Sequence, residues 1–254
     1  MALAYDKLVL FGDSITQYAY DQANGFALGS ALQNDYTRKL DVIQRGYGGY
    51  NSDEALLMID KIIKYETTDY SQIKLLVIFF GTNDAATPPS VQHVPIGRYR
   101  DNLRNIIKTA TDAGIKVVLI GPGPYNFHQW RLTHTDEVSN QRSTIITREY
   151  TDAASEVAAE TGVPFVPLWY LIMEKLGWKK GDLEYGLKEG DAKNPLSSYL
   201  TDGIHYAGPA YEVEYLGILD AIKKAYPELL PENLPLKLPT WQTIDNLEEF
   251  AKLL

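Results

Sequence analysis

Leu8-Val9-Leu10-Phe11-Gly12-Asp13-Ser14-Ile15-Thr16 is the stretch on which the reading of this chain turns. Four apolar residues run straight into Gly-Asp-Ser, which predicts a buried strand ending in a tight turn that presents a hydroxyl at its carboxyl end. Open α/β sheets keep their ligand sites at that end. Taken alone, the tripeptide favours a plainer reading, a strand-to-helix turn in which Ser14 merely caps the helix. The residues downstream decide between the two.

Working outward, the pattern predicts a helix over Gly25–Lys39 and a second, β-branched strand at Asp41–Gln44. That strand leads into Arg45-Gly46-Tyr47-Gly48-Gly49-Tyr50-Asn51-Ser52, a glycine turn whose backbone can approach another group closely. Ser52 with Asp53 and Glu54 then reads as a helix start. Ile73 to Phe80 is the most apolar strand, of the kind found in the middle of a parallel sheet, and it ends at Gly81-Thr82-Asn83-Asp84. A helix over Ile96–Ala113 is closed by Gly114, and the fourth strand, Ile115–Ile120, stops at Gly121-Pro122-Gly123-Pro124. A helix from Gln141 to Thr161 precedes a weak fifth strand at Pro164–Pro167, suited by its prolines to a sheet edge. Lys179 to Pro195 reads as a charged surface excursion, and a last helix covers Pro209–Tyr226. The alternation specifies a parallel sheet with helices on both faces. The carboxyl ends of its strands share one rim, so Ser14, Gly49 and Asn83 become neighbours there.

With 254 residues and no internal repeat, the chain is read as one domain over 1–254, with a proline-rich tail over 227–254 that wraps its own domain or docks on a second copy as a homodimer. A net charge of -9 argues against nucleic acid or an anionic membrane as partner, because both are repelled at long range. The absence of cysteine excludes disulfides, thiol nucleophiles and thiolate metal sites. The first strand starts too early to leave room for a secretory signal and no apolar run is long enough to span a bilayer, so a cytoplasmic protein is expected.

Ester hydrolysis needs a nucleophile, a base, a group that orients the base, and donors aimed at the oxyanion. Ser14 offers the first. Of the four histidines, His205 alone lies in a small-residue turn with a carboxylate three residues earlier, Asp202, which is the triad logic independent of chain order. The spacing by itself fits a helix-capping turn at least as well. Oxyanion donors would be the backbone N–H groups of Ser14 and Gly49 and the side-chain amide of Asn83. Tyr47, Tyr50, Tyr125, Phe127 and Trp130 lie in rim loops and are candidates to line a substrate pocket. His93, His128 and His134 have no carboxylate companions or ligand spacing, so they read as surface histidines, and neither metal nor other cofactor is implied.

Gly12-Asp13-Ser14-Ile15, the turn at Gly49, Gly81-Thr82-Asn83-Asp84 and Asp202-Gly203-Ile204-His205 resemble, in order and spacing, the four signature blocks of the SGNH hydrolases, the GDSL-type lipases and esterases. The resemblance implies that Ser14 is the nucleophile, that Asp202 and His205 complete a triad, and that Ser14, Gly49 and Asn83 form the oxyanion hole. It also implies a three-layer α/β/α sandwich on a five-stranded parallel sheet of the flavodoxin-like kind. More narrowly, Phe11–Thr16, Tyr36-Thr37-Arg38-Lys39, Gln44-Arg45-Gly46, Ile120–Gly123 and the Trp241 tail are similar to the fungal isoamyl acetate-hydrolysing esterases. A small uncharged acetate ester is therefore the expected substrate. A carbohydrate deacetylase, thioesterase or alcohol acyltransferase would use the same triad, and a flavodoxin-like binding module would use none. The chain departs from the pattern at Ile15, where the family's name motif has leucine, and in the length of Lys179–Pro195.

Overall fold

A computed structural model describes residues 3–254. In chain order the elements are β1 (Asp6–Gly12), α1 (Ser14–Gln17), α2 (Leu28–Asp35), β2 (Leu40–Gly46), α3 (Ser52–Glu66), β3 (Ile73–Phe79), α4 (Ile96–Asp112) and β4 (Lys116–Ile120). They continue with α5 (Phe127–Trp130), α6 (Asp136–Ser139), α7 (Thr144–Thr161), β5 (Phe165–Val166), α8 (Leu168–Lys175), α9 (Gly208–Ala225) and α10 (Leu247–Ala251). The five strands are parallel and lie in the order β2-β1-β3-β4-β5.

Side chains of a strand alternate between faces, and here both faces are covered, which is why β1, β3 and β4 read as unbroken apolar runs. Leu8, Leu10, Leu75, Val77 and Phe79 pack into one layer with residues of α2, α8 and α9. Val9, Phe11, Leu76 and Ile78 pack into the other with α3, α4 and α7. The sandwich therefore has three layers, as the resemblance implies.

The strand order reverses at β1. From that strand the chain steps to β2 on one side and later to β3 on the other, so the loops leaving β1 and β3 diverge and open a crevice at their carboxyl ends. Gly12 pairs with both Gly46 and Phe79, so the three strands reach the rim together. A Cβ on Gly12 would lie 2.1 Å from Thr16 Oγ1 and 2.6 Å from the Phe79 carbonyl. Only glycine lets α1 fold back this tightly on the strand that feeds it.

Several boundaries differ from expectation. The helix predicted from Gly25 begins at Leu28 and ends at Asp35, because the chain turns through Tyr36–Lys39 with Arg38 in the left-handed region at φ 62°. Ser143 caps α7 by accepting from Ile145 N–H, so that helix starts at Thr144 rather than Gln141. Helix α8 was not expected: Leu168–Met173 is apolar without a gap and carries no 3.6-residue period, since the helix is largely buried.

Lys179–Pro195 is not a free excursion. Phe127 N–H donates to Gly186 O at 3.0 Å, Asn194 Nδ2 donates to Asn126 Oδ1 at 3.2 Å, and a Cβ on Gly186 would come within 2.1 Å of the Tyr125 carbonyl. The tail is held by the turn between α2 and β2. Tyr36 Oη donates to Leu229 O at 2.8 Å, and Arg38 Nη2 to the carbonyls of Leu238 and Pro239 at 2.9 and 2.8 Å. That turn lies at the amino ends of the strands, opposite the rim. Among the described residues no helix is long and apolar enough to cross a membrane.

Candidate active site

Asp13, not Ser14, caps α1: its Oδ1 accepts the Ile15 N–H at 2.9 Å. The capping requirement is thus met one residue earlier, and the Ser14 hydroxyl is left for other work. Asp13 is fully buried, and burial pushes its carboxyl up to about 6, with the Ile15 N–H and the nearby His205 and Arg142 acting against a larger rise.

The fourth motif is a self-contained turn. Asp202 Oδ1 accepts the N–H groups of Ile204 and His205 at 3.0 and 2.9 Å, and Thr201 N–H donates to the His205 carbonyl at 2.8 Å. Gly203 holds φ +104°, and a Cβ there would sit 2.5 Å from the Asn126 carbonyl. Helix α9 begins only at Gly208 with Ala207 before it, so Asp202 caps no helix. Its second oxygen accepts from His205 Nδ1 at 2.6 Å, which leaves Nε2 to accept the Ser14 hydroxyl at 2.9 Å. Burial acts to raise the Asp202 carboxyl, but the His205 ring and the two backbone donors outweigh it and hold the group at about 2. Asp202 is therefore ionised across any working pH, as a group that orients and charges an imidazole must be.

Gly49 has φ +83°, and among the described residues neither its N–H nor that of Ser14 donates to a protein acceptor. Asn83 Nδ2 donates to the Tyr50 carbonyl at 2.8 Å, leaving its second hydrogen uncommitted. The ends of β1, β2 and β3 thus bring Ser14, Gly49 and Asn83 to one rim, and the turn before α9 adds Asp202 and His205.

The predicted pocket aromatics are distributed differently. Tyr47 and Tyr50 stack on each other at 5.6 Å, the second of them exposed at the rim. Tyr125 and Phe127 are buried and pack with Ile204, the residue before His205, and Tyr125 Oη donates to Ser139 O at 3.0 Å. Trp130 is half-buried, stacked on His134 at 3.6 Å. His93 and His128 are likewise half-buried rather than on the surface, with ring nitrogens near the carbonyls of Ala86 and Gly190. A cleft of about 300 Å³ adjoins the imidazole, lined by Tyr18, Asp21, Asn24, Thr201, Tyr206 and Tyr211 together with Asp202 and His205. Tyr18 meets the His205 ring edge to face at 5.3 Å, a contact that no sequence signal announced.

A second buried carboxyl, Asp84, supports the loop after β3. It accepts Ser52 N–H at 3.0 Å, while its other oxygen has no partner, and burial pushes it up to about 7. Between about pH 4 and 7 the folded chain holds a proton that the unfolded chain releases, so stability falls as pH rises through that window. Asp84→Asn keeps the acceptor without the charge. The variant is expected to melt roughly 5 °C above the parent at pH 8, with the difference vanishing near pH 4, as thermal unfolding at both pH values will read.

A serine, an imidazole and a carboxylate in one hydrogen-bonded line at the carboxyl ends of a parallel sheet is the arrangement of hydrolases that work by acyl transfer to a hydroxyl. Residues 10–213 match the model of the GDSL-like Lipase/Acylhydrolase family, and the chain belongs to that family, a carboxylic ester hydrolase. It is 35% identical over 252 residues to the isoamyl acetate-hydrolyzing esterase of Saccharomyces cerevisiae, covering 94% of this chain and 95% of that protein. Among solved structures, the lipase/acylhydrolase of Enterococcus faecalis superposes with a TM-score of 0.63 at 23% identity, covering 92% of this chain and 100% of that one. A catalytic mutant of an acetylxylan esterase from Geobacillus stearothermophilus gives 0.62 at 16%, covering 87% of this chain and 96% of that one. These two likenesses are of fold.

Proposed function

We propose that this protein is a serine esterase of small uncharged carboxylic esters, acetates of medium-chain alcohols such as isoamyl acetate first among them. The observation that carries the reading is the 2.9 Å contact between Ser14 Oγ and His205 Nε2, backed by the 2.6 Å contact from Nδ1 to Asp202. Ser14 Oγ attacks the ester carbonyl as His205 Nε2 takes its proton. The tetrahedral oxyanion receives hydrogen bonds from the N–H groups of Ser14 and Gly49 and the free hydrogen of Asn83 Nδ2. His205 then returns the proton to the departing alkoxide, the carbon–oxygen bond breaks, and an acyl-Ser14 ester remains. Water, deprotonated by the same nitrogen, releases the carboxylic acid and restores the hydroxyl.

The departing alcohol must lie within reach of Nε2, and the cleft of about 300 Å³ beside the His205 ring supports an alcohol of a few carbons. The polar lining of the same cleft, Asp21, Asn24 and Thr201, favours a second reading in which the alcohol half carries hydroxyls, as in an acetylated sugar.

Kinetics on acetate, butyrate and octanoate esters of one alcohol, with an acetylated xyloside alongside, test both. The expected order in kcat/KM is acetate over butyrate over octanoate, with at least tenfold between the first and the last. An octanoate preference would sink the small-acyl reading. A better turnover of the acetylated sugar than of the alkyl acetate would move the assignment to the second.

A further inference from the structure

Arg142 is a half-buried cation that spends its donors on neutral groups. It stands in the loop before α7, where Nη1 donates to the Thr82 carbonyl at 2.6 Å and Nη2 to Gln92 Oε1 at 2.7 Å and, more loosely, to Asn83 Oδ1 at 3.4 Å. Its guanidinium lies 5.9 Å from the centre of the Trp130 ring. Gln92 carries the connection further: its Nε2 donates to the Gly49 carbonyl at 2.9 Å, and its own carbonyl accepts Asn51 Nδ2 at 3.1 Å. One guanidinium thus ties the loop after β3 to the loop after β2.

The chemistry of the donor decides what this does. A side-chain amide has two orientations of nearly equal shape, with oxygen and nitrogen exchanged, and only its partners select one. Arginine offers donors alone, so Asn83 and Gln92 must both turn their oxygens toward it. Asn83 Nδ2 is then forced toward Tyr50 O and the rim, and Gln92 Nε2 toward Gly49 O. A cation drawn partly out of water is costly to hold, and a carboxylate would satisfy it more strongly than neutral oxygens can. Here the cation is used to orient amides.

Resting on the proposed roles of Gly49 and Asn83, we infer that Arg142 and Gln92 are positioning residues for the oxyanion hole. They fix the direction of both amides and thereby the spacing of the Gly49 N–H and the Asn83 Nδ2. Oxyanion donors act only where the developing charge will stand, about 2.7–3.1 Å away, so a misplacement of tenths of an ångström lowers kcat and leaves ground-state binding alone.

Gln92→Glu tests this without emptying space. The carboxylate still accepts from Arg142, but it can no longer donate to Gly49 O. We expect kcat on an acetate ester to fall about tenfold with KM within twofold, and affinity for a trifluoromethyl ketone that mimics the tetrahedral adduct to fall in parallel. Arg142→Lys, which keeps the charge but loses the fork, is expected to do the same. Asn83→Ala, expected to lower kcat by ~10²–10³, sets the scale. If Asn83→Ala behaves so while Gln92→Glu keeps kcat within twofold of the parent, the positioning role is wrong and the oxyanion reading survives. A Gln92→Glu enzyme with KM raised tenfold and kcat intact would make Gln92 a substrate contact instead, which also overturns it. An Asn83→Ala enzyme with full kcat would remove the oxyanion reading and this inference with it.

Discussion

Ser14→Ala is expected to lower kcat on an acetate ester by about 10⁶-fold and to abolish labelling by a fluorophosphonate, because triad members act as a unit and loss of the nucleophile costs nearly as much as loss of all three. The fold should not notice. Ser14 is the first residue of α1, the cap is Asp13, and among the described residues the hydroxyl's side-chain partner is His205 Nε2. Alanine is also the best helix former, so the melting temperature is expected to stay within a few degrees of the parent. That separation matters, since a dead enzyme with an intact melting curve has lost chemistry and not structure. The alternative of a binding module without catalysis makes the opposite forecast: no labelling of the parent at all. Retention of even a hundredth of the parental kcat in the alanine enzyme, with contaminating esterase excluded, would place the nucleophile elsewhere.

The second large effect falls on Asp202. Asp202→Asn is expected to cost about 10⁴ in kcat while the loop keeps its shape. The amide oxygen can go on accepting the N–H groups of Ile204 and His205, as Oδ1 does at 3.0 and 2.9 Å. The nitrogen, placed where Oδ2 now stands 2.6 Å from Nδ1, is a donor. It demands a bare Nδ1, which sends the imidazole proton to Nε2, and Nε2 then faces Ser14 as a donor instead of an acceptor. The base is present but in the wrong tautomer. Fluorophosphonate labelling should slow by a comparable factor, because it needs the same proton transfer. Labelling at the parental rate with low ester turnover would show that Asp202 serves a later step and does not prepare the nucleophile.

The sheet and the meeting of Ser14, His205 and Asp202 were legible in the sequence for a physical reason. Strands covered on both faces must be apolar throughout, and a tight turn at the carboxyl end of such a strand must carry glycine, so Gly12-Asp13-Ser14 and Gly81-Thr82-Asn83 announce both the element and its end. What was not legible has equally physical causes. Helix α8 is packed from several sides and lacks a polar stripe, so nothing marks its period. Asn51, one residue ahead of the expected start, is the cap of α3, because an Asn with Glu54 three residues on makes the reciprocal pair of bonds that Ser52 in its place does not. Arg142 and Gln92 are single polar residues in irregular loops, and their importance lies in which carbonyls surround them. Spacing along the chain does not encode that. For Tyr125 and Phe127 the sequence shows a rim-loop position but not that both are buried in a cluster with Ile204.

Gly186 presses against the Tyr125 carbonyl, and Asn194 reaches across to Asn126, so the buried cluster of Tyr125, Phe127 and Ile204 rests on a weakly patterned part of the chain. Ser14 and Asn83 follow strand ends within a few residues, and Asp202 and His205 sit in a turn locked by its own aspartate, whereas this buttress is a run of turns tied to residues 126–140 at Gly186, Lys188, Gly190 and Asn194. Insertions there would shift that cluster, and with it Ile204 and the hydrogen bond from Asn126 N–H to Gly203 O that brace the Asp202–His205 turn. Length changes in residues 187–193 would therefore reach the Asp202–His205 turn through packing alone, with none of its hydrogen-bonding side chains replaced.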